Sequence, residues 1–343
     1  MAGELIEPFQ QRFPWWGPDL QTIRDTLLPP GLPQRQGERI LIEVGGGDRL
    51  LGWLELPARP AGSEPLALVL LLPGLGGCSD GVGPRRLSLA LRQAGLAVLR
   101  LNLRGAGAGR GLARGSYSAR CNSDLLPVLQ WARRLALGRP LFAVGLSLGG
   151  TMLLNAVLEE GGLDGLVCLS SPLDLADCMV QIERPRNVLY QRWLVRRLCR
   201  QTLADPLGLR ELERRALTGP TRPRSIRGFD GLITAPRWGY GSVEQYYAEA
   251  SPLPRLLAPS QPNPPILILH AQDDPWVPVG PAKRLAELGG GSSAASSTGG
   301  LDIYITPRGG HNGFHGRGDT AGACWSDRLT VRWLLERGLR PDD

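Results

Sequence analysis

A serine with a glycine two residues away on each side lies at positions 145–149, which read GLSLG. This G-x-S-x-G pattern is typical of a nucleophile elbow, where a strand turns sharply into a helix and exposes a serine hydroxyl. The pattern alone is weak in a chain with 46 glycines. Its context is specific, because residues 141–145 predict a strand before it and residues 151–160 a helix after it. Ser147 is therefore the candidate nucleophile, and an ordinary strand-to-helix turn is the alternative.

Two adjacent carboxylates, Asp273 and Asp274, are suitably placed to support this serine. A serine hydroxyl needs a base to become nucleophilic and the base needs an acid to orient it, in the chain order serine, acid, histidine. Both carboxylates follow the aliphatic run 266–269, at the end where parallel strands present functional groups. The usual spacing after the glycine position, here Ala271, favours Asp274 as the acid. Asp273 is the alternative, and a helix-capping role is open to either residue.

The chain has three histidines, and the candidate base follows the last predicted strand. This residue is His311, in the run PRGGHNGF at 307–314, downstream of both carboxylates. His315, four residues further on, is the alternative base. His270 falls in or at the end of a predicted strand, which favours a structural role.

Backbone N–H groups facing the reacting carbonyl would complete the site, because negative charge develops on its oxygen in the transition state. The N–H of Leu148 directly follows the nucleophile, and a second donor is expected from the loop after the third strand. That loop reads PGLGG at 73–77, and the Leu75 N–H is its candidate donor. A glycine-rich turn without this role is the alternative. Together these groups would carry out acyl transfer through a covalent acyl-enzyme.

Short aliphatic runs alternate along the chain with segments of helical periodicity, which is typical of an α/β fold with a mostly parallel sheet. The candidate site residues then follow the carboxyl ends of strands, where such sheets bind ligands. Strands are expected at 39–44, 49–56, 66–72, 97–103, 141–145, 163–169, 265–270 and 301–305, the first two forming a hairpin. Helices are expected at 86–94, 124–137, 151–160 and 325–336.

Residues 174–258 have no strand-like run and several helical stretches, so they are expected to form a helical cap inserted into the core. The α/β core would then comprise 36–173 and 259–343, with residues 1–35 as an N-terminal extension packed on it. The run GGGSSAASSTGG at 289–300 is of low complexity and predicts a mobile surface loop.

Composition narrows the remaining function classes. The net charge of +7 is concentrated in residues 184–227, which contain twelve arginines and only three acidic residues. No recognition helix, zinc knuckle or RNP-like strand accompanies this basic segment, so nucleic acid is not an expected partner. Six scattered cysteines without a C-x-x-C pair, and only three histidines, indicate free thiols and no metal site. No P-loop or G-x-G-x-x-G motif predicts a nucleotide cofactor.

Two observations concern membranes. No apolar run is long enough to span a bilayer and residues 1–13 lack a secretory pattern, so a cytoplasmic protein is expected. Residues 187–203 can form a basic amphipathic helix, which would either pack its apolar stripe on the core or lie on an anionic membrane. Its apolar face would carry Leu189, Trp193, Leu194 and Leu198, and its basic face Arg192, Arg196 and Arg200.

These motifs together resemble the YheT-type branch of the α/β-hydrolases, a group related to embryogenesis-associated hydrolases and abhydrolase-domain lipases. The resemblance covers about residues 12–335. Besides the elbow it includes DLQTI at 19–23, LNLRG at 101–105, Phe229-Asp230, Tyr246-Tyr247, Ala250-Ser251-Pro252, Asp273-Asp274-Pro275 and Gly310-His311.

This resemblance implies an eight-stranded sheet with a helical cap and a triad of Ser147, Asp274 and His311. It also implies esterase or acylglycerol-lipase-like activity without a metal or organic cofactor. Two positions depart from the pattern, because Pro73 and Asp19 stand where histidine is common.

The sequence therefore predicts a serine hydrolase that cleaves carboxylic esters of small-molecule or lipid-like substrates. The same triad also serves acyltransferases and thioesterases, and a non-catalytic binding protein could keep the fold.

Overall fold

A central β-sheet organises the molecule, for which a computed structural model describes residues 6–33, 37–57, 64–220, 222–259, 263–288, 295–298 and 300–337. The strands within these ranges are β1 (Glu38–Gly45), β2 (Asp48–Glu55), β3 (Leu68–Leu72), β4 (Ala97–Asn102), β5 (Leu141–Leu146), β6 (Gly165–Leu169), β7 (Ile266–Ala271), β8 (Ala295–Thr298) and β9 (Leu301–Thr306). They form one sheet in the order β1-β2-β4-β3-β5-β6-β7-β9-β8.

The sheet is parallel from β4 to β9 and antiparallel at both edges. The predicted α/β-hydrolase fold, with eight strands in a mostly parallel sheet, is confirmed. One further strand, β8, pairs with β9 at the edge. The prediction of a loop over 289–300 is therefore wrong for residues 295–298, because backbone pairing with an open sheet edge overrides a weak strand composition. Residues 289–294 and 299 lie outside the described residues.

Helices cover both faces of the sheet and fill the segment between β6 and β7. In chain order they are α1 (Gly17–Leu27), α2 (Val82–Gln93), α3 (Asn122–Leu135), α4 (Leu148–Glu160), α5 (Leu175–Ile182), α6 (Val188–Leu203), α7 (Glu211–Thr218), α8 (Ile226–Phe229), α9 (Ala235–Arg237), α10 (Val243–Ala250), α11 (Leu253–Leu257), α12 (Gly280–Leu288) and α13 (Trp325–Arg337). A π-helical turn, Asp230–Thr234, joins α8 to α9.

Strand β3 shows how the sheet separates two apolar layers. Its five residues are all buried, and successive side chains point to opposite faces because a strand has a two-residue repeat. Leu68, Leu70 and Leu72 join the layer that includes α3, α4 and α12. Val69 and Leu71 join the layer under α2 and α13. The carboxyl ends of the central strands are thereby held rigidly at one edge.

Three predicted helices begin earlier than their sequence patterns indicate, α3 by two residues and α2 and α4 by more. Helix α4 starts at Leu148 rather than at residue 151, because the two glycines at 149 and 150 adopt helical geometry in the closely packed turn after Ser147. Helix α2 starts at Val82 rather than at residue 86, since the proline in its first turn lacks only an N–H that has no helical acceptor there.

Helix α6 has its predicted range, but only two of the four side chains predicted for its apolar face are buried. Leu194 and Leu198 are buried, whereas Leu189 is 73% exposed and Trp193 is 44% exposed. The buried stripe instead continues through Val195 and Thr202.

Helix α1 lies in the irregular N-terminal sequence, which does not predict it. It packs its fully buried Gln21 against the rest of the molecule. Within the described part of the chain, no helix is both long and apolar enough to cross a membrane. The six cysteines are free thiols.

Candidate active site

Ser147 stands at the apex of a tight turn between β5 and α4. Its backbone has φ 52° and ψ −125°, an unusual conformation for a non-glycine residue that the surrounding structure must hold in place. The glycines of the elbow allow close approach of the backbone. A Cβ at Gly145 would lie 2.2 Å from Gly150 N, and one at Gly149 would lie 2.6 Å from Pro73 O. The sequence pattern thus has a direct steric cause.

The structure brings Ser147, His311 and Asp274 into one hydrogen-bonded chain. The Ser147 hydroxyl lies 2.9 Å from His311 Nε2. The other ring nitrogen, Nδ1, lies 2.8 Å from Asp274 Oδ2. The second carboxylate oxygen accepts the N–H groups of Trp276 and Val277 at 2.8 and 3.0 Å, which fixes the direction of the carboxylate.

The electrostatics of this series of hydrogen bonds favour loss of the hydroxyl proton from Ser147. Burial raises the pKa of Asp274, but the imidazole of His311 and the hydrogen bonds outweigh it, so the pKa lies below its ordinary value. An ionised carboxylate accepts the proton on Nδ1, which leaves Nε2 free to accept the Ser147 hydroxyl. The ring of Trp276 stacks on the imidazole at 4.5 Å between centroids. The imidazole is thereby held on its edge and on its face.

The alternative acid and base lie elsewhere. Asp273 Oδ1 accepts the Gly310 N–H at 2.9 Å, and burial raises the pKa of this carboxyl. His315 lies near two other carboxylates, 3.4 Å from Asp25 Oδ1 and 3.6 Å from Asp319 Oδ2. The His311 imidazole thus pairs with Asp274 and not with Asp273, and Ser147 pairs with His311 and not with His315.

His270 occupies the place that its strand position predicts. It is 1% exposed in β7, and its Nε2 lies 3.1 Å from the Val277 carbonyl oxygen. Burial lowers the pKa of this imidazole. It therefore supports the loop that carries Asp274 as a neutral side chain.

The two expected oxyanion donors belong to segments that both adjoin Ser147. Leu148 is the first residue of α4, where an N–H has no acceptor within the helix. The loop that carries Leu75 lies directly against the serine, because a Cβ at Gly74 would be 2.9 Å from Ser147 Cβ. Leu75 and Leu148 line the same cavity as Ser147.

Side chains that the sequence does not indicate hold this loop. The Gly76 N–H donates to Tyr117 Oη at 2.6 Å. The Gly76 carbonyl accepts Arg197 Nε at 2.5 Å and Gln201 Nε2 at 2.8 Å, both from α6. Gly76 has φ 69°, which glycine adopts without strain. No local motif could reveal these partners, because they are remote from the loop along the chain.

A cavity of about 300 Å³ opens over Ser147 and His311. The helices α5–α11 between β6 and β7 form a lobe over the carboxyl edge of the sheet. This lobe supplies the cavity wall opposite Ser147, chiefly with apolar side chains. Among these wall residues are Met179, Leu194, Leu198, Ile226 and Phe229. Asp230 also lines it, and its two oxygens accept the hydroxyls of Thr234 and Tyr247.

The donor set of the site does not suggest a metal. Among the described residues, no group of three or more His, Cys, Asp and Glu side chains is arranged to hold a metal ion.

Comparison with known proteins connects this geometry to a family. The chain matches the Hydrolase_4 family, described as serine aminopeptidase S33, over residues 63–295. The putative esterase YheT of Escherichia coli K12 is 28% identical over 305 residues, which cover 85% of this chain and 83% of the relative. Phospholipase ABHD3 of Mus musculus is 26% identical over 310 residues, covering 87% and 71% of the two chains.

A solved structure shares the fold. A soluble variant of monoglyceride lipase from Saccharomyces cerevisiae, in complex with a substrate analogue, superposes with a TM-score of 0.56. The match covers 90% of this chain and 98% of the lipase, at 18% sequence identity. At this identity the likeness concerns the fold alone.

Proposed function

The chain belongs to the Hydrolase_4 family and to its YheT-type α/β-hydrolases, and from this premise we propose that it cleaves carboxylic esters through Ser147, His311 and Asp274. The motif combination predicts this family. The single observation that carries the proposal is the continuous hydrogen-bonded chain from Asp274 through His311 to the Ser147 hydroxyl, at the wall of an apolar cavity.

The first half of the reaction forms an acyl-enzyme. His311 Nε2 takes the hydroxyl proton as Ser147 Oγ attacks the ester carbonyl carbon. The carbonyl oxygen becomes an anion, which the N–H groups of Leu75 and Leu148 stabilise in a site shielded from water. The imidazolium, held by Asp274, then gives its proton to the leaving alkoxide. The alcohol departs and the acyl group stays on Ser147 as an ester.

Water completes the cycle by the same route. His311 accepts a proton from water, and the resulting hydroxide attacks the acyl carbon. The second tetrahedral anion collapses, the C–O bond to Ser147 breaks, and the imidazolium returns its proton to the serine oxygen. The products are an acid and an alcohol. An alcohol in place of water would give transesterification, so product analysis distinguishes a hydrolase from an acyltransferase.

We propose that the acyl part of the substrate is apolar and occupies the cavity beneath the lobe. Its wall combines aliphatic and aromatic side chains from both the core and the lobe. A cavity of about 300 Å³ is at the small end of ligand sites, which favours one short or medium acyl chain over a complete membrane lipid. The relative named phospholipase supports a lipid-like ester as the substrate class. In this proposal residues 174–258 are a cap that shields the reaction from water.

A fluorophosphonate probe tests the nucleophile. We expect covalent labelling of the wild-type protein at Ser147, identified by peptide mass spectrometry, and none in Ser147→Ala. Ser171→Ala is the control, because Ser171 is fully buried and its hydroxyl donates to the Leu169 carbonyl at 3.4 Å. Folded wild-type protein that is not labelled would favour a non-catalytic binding protein. A screen of p-nitrophenyl esters from acetate to palmitate, with monoacylglycerols, then defines the acyl preference.

We further propose that the lobe contacts an anionic lipid surface. Leu189 and Trp193 are exposed on α6, and Arg192 and Arg196 on the same helix are exposed beside them. Exposed apolar and basic side chains on one helix are typical of binding at a membrane interface. Vesicle flotation with anionic lipid should recover the protein, and Leu189→Ser/Trp193→Ser should weaken recovery. Equal recovery on neutral and anionic vesicles, or none, would contradict this.

A further inference from the structure

The DLQTI motif at residues 19–23 has no place in the triad or the cavity. The structure places it on α1, whose side chains face the loop that carries His311. The loop and α1 are nearly 300 residues apart in the chain, as the contact between His315 and Gln21 spans 294 positions. Helix α1 therefore has a contact with the catalytic loop that sequence order does not suggest.

The loop around His311 has an unusual backbone. Gly309 and Gly310 have φ 151° and 59°, and the non-glycine residues Asn312 and Phe314 have φ 53° and 46°. Residues other than glycine rarely adopt this left-handed backbone conformation, and they keep it only when the surrounding structure holds them there. The direction of the His311 imidazole thus depends on what packs against this loop.

Two adjacent side chains of α1 contact the loop, one at His311 and one at His315. The Thr22 hydroxyl oxygen accepts the His311 N–H at 2.9 Å, and the same hydroxyl donates to Pro18 O at 2.7 Å. The Gln21 amide forms a two-point contact with the His315 backbone. Its Oε1 accepts the His315 N–H at 2.7 Å, and its Nε2 donates to the His315 carbonyl at 2.9 Å.

Steric fit makes this contact specific. A Cβ at Gly310 would lie 2.5 Å from Pro18 O and 2.8 Å from Thr22 Oγ1. A Cβ at Gly313 would lie 2.5 Å from Gln21 O. Gln21 itself is 0% exposed. The loop and α1 are therefore in backbone contact, with the side-chain bonds enclosed between them.

We propose that Gln21 and Thr22 are positioning residues, which hold the His311 backbone so that the imidazole reaches Ser147 and Asp274 at once. This inference rests on the proposed function, and it assigns a task to the N-terminal motif. A displacement of about 1 Å at a reacting group costs on the order of 100-fold in rate, so a small shift of the loop affects catalysis before it affects folding.

Asp19, the first residue of the DLQTI motif, serves a different contact. Its carboxylate accepts Arg186 Nη2 at 3.0 Å and the Tyr190 hydroxyl at 2.9 Å, both from the lobe. Helix α1 thus contacts the lobe through Asp19, and it contacts the His311 loop through Gln21 and Thr22.

The test compares two threonines of the same helix. Thr22→Val removes the hydroxyl while keeping the side-chain shape, Thr22→Ser restores the hydroxyl, and Thr26→Val makes the same change at an exposed position one turn away. We expect Thr22→Val to lower kcat by about 10- to 100-fold on a p-nitrophenyl ester, with KM changed by less than about twofold. Thr22→Ser and Thr26→Val should stay close to the wild type. The rate of fluorophosphonate labelling should fall in parallel with kcat, because the probe needs the same activated serine.

Urea unfolding of each variant separates positioning from stability. If Thr22→Val unfolds at lower urea but keeps its kcat, α1 only stabilises the fold and the proposal is wrong. If Thr26→Val loses as much kcat as Thr22→Val, the effect is not specific to the His311 contact and the proposal is also wrong. Should Thr22→Val not fold, Thr22→Ala makes the same comparison without the added methyl group. Wild-type protein that neither hydrolyses esters nor reacts with the probe would instead overturn the proposed function, and this inference with it.

Discussion

Adjacent carboxylates take on different tasks at the end of β7. Asp274 contacts the imidazole, while Asp273 contacts the Gly310 N–H in the loop beside it. The sequence favours Asp274 by spacing but leaves Asp273 open, because two neighbouring carboxylates after a strand are equivalent until the turn is known. The N–H groups of Trp276 and Val277 settle the direction of the Asp274 carboxylate.

Amide substitutions of the two carboxylates should therefore differ in effect. We expect Asp274→Asn to lower kcat by about 10³- to 10⁴-fold, because the amide no longer holds the imidazole in the tautomer that accepts the serine proton. Asp273→Asn keeps an oxygen that can accept the Gly310 N–H, so it should cost less than about tenfold. Steady-state kinetics on one short-chain ester compares them. A larger loss for Asp273→Asn would reverse the assignment of the acid.

Among the secondary-structure elements, α6 connects the lobe to the loop at 73–77, which carries the proposed oxyanion donor Leu75. Two of its side chains, Arg197 and Gln201, donate to the Gly76 carbonyl, while Tyr117 accepts the N–H of the same residue. Burial raises the pKa of Tyr117 to about 12, so its hydroxyl stays protonated at neutral pH. The contacts at Gly76 orient this loop without a contribution from the side chain of Pro73.

Removal of the α6 contact should act on the transition state more than on substrate binding. We expect Arg197→Ala to lower kcat by about tenfold and to leave KM nearly unchanged, since the N–H of Leu75 meets charge only as the oxyanion forms. A boronic acid that mimics the tetrahedral state should lose affinity to the same extent.

Arg196→Ala is the matched control on the same helix, because Arg196 is exposed. Equal effects of the two alanine substitutions would indicate a general loss of charge rather than a contact with the loop. A rise in KM at constant kcat in Arg197→Ala would place the arginine in substrate binding instead.

The elements that the sequence predicts well are those with a strong local cause. The buried strands are continuous aliphatic runs, and the elbow glycines are required by close backbone contacts. Helix α1 and strand β8 are not predicted, because α1 is held by contacts with the distant His311 loop and β8 by pairing with β9. Local periodicity does not contain such information.

For the molecule as a whole, chain order predicts the proposed triad but not the residues that surround it. Ser147, Asp274 and His311 each follow a strand, and all these strands end at one edge of the parallel sheet. Residues such as Arg197, Tyr117 and Thr22 follow no such rule, since each reaches the site from a different element.

Asp230, in the lobe, connects the cavity to the stability of the whole protein. Burial raises the pKa of this carboxyl from its ordinary value of 3.8 to about 6, although the hydroxyls of Thr234 and Tyr247 partly oppose the shift. Between these two pH values the folded protein therefore keeps a proton that the unfolded chain has already lost. By linkage, this group makes folding less favourable as pH rises through about 6, by roughly 2–3 kcal/mol in total.

Glu213 shifts in the opposite direction and gives a matched comparison. Burial raises its pKa, but hydrogen bonds from Arg237 and Arg210 outweigh this and lower it from 4.5 to about 2. Its contribution to stability is complete once pH exceeds about 5, and it is lost only as pH falls towards 2.

The pH dependence of two variants should therefore separate these carboxyls between pH 4.5 and 7.5. As pH rises across this range, we expect the free energy of unfolding of Asp230→Asn to increase by about 2 kcal/mol relative to that of the wild type, because the amide cannot ionise. The difference in free energy of unfolding between Glu213→Gln and the wild type should stay constant above about pH 5 and change by less than about 0.5 kcal/mol between pH 4.5 and 5, although the variant is less stable throughout. Urea unfolding at several pH values measures both differences. If the Asp230→Asn difference also stayed constant, the Asp230 carboxyl would be ionised in the folded protein at low pH, and the apolar environment assigned to this wall of the cavity would be wrong.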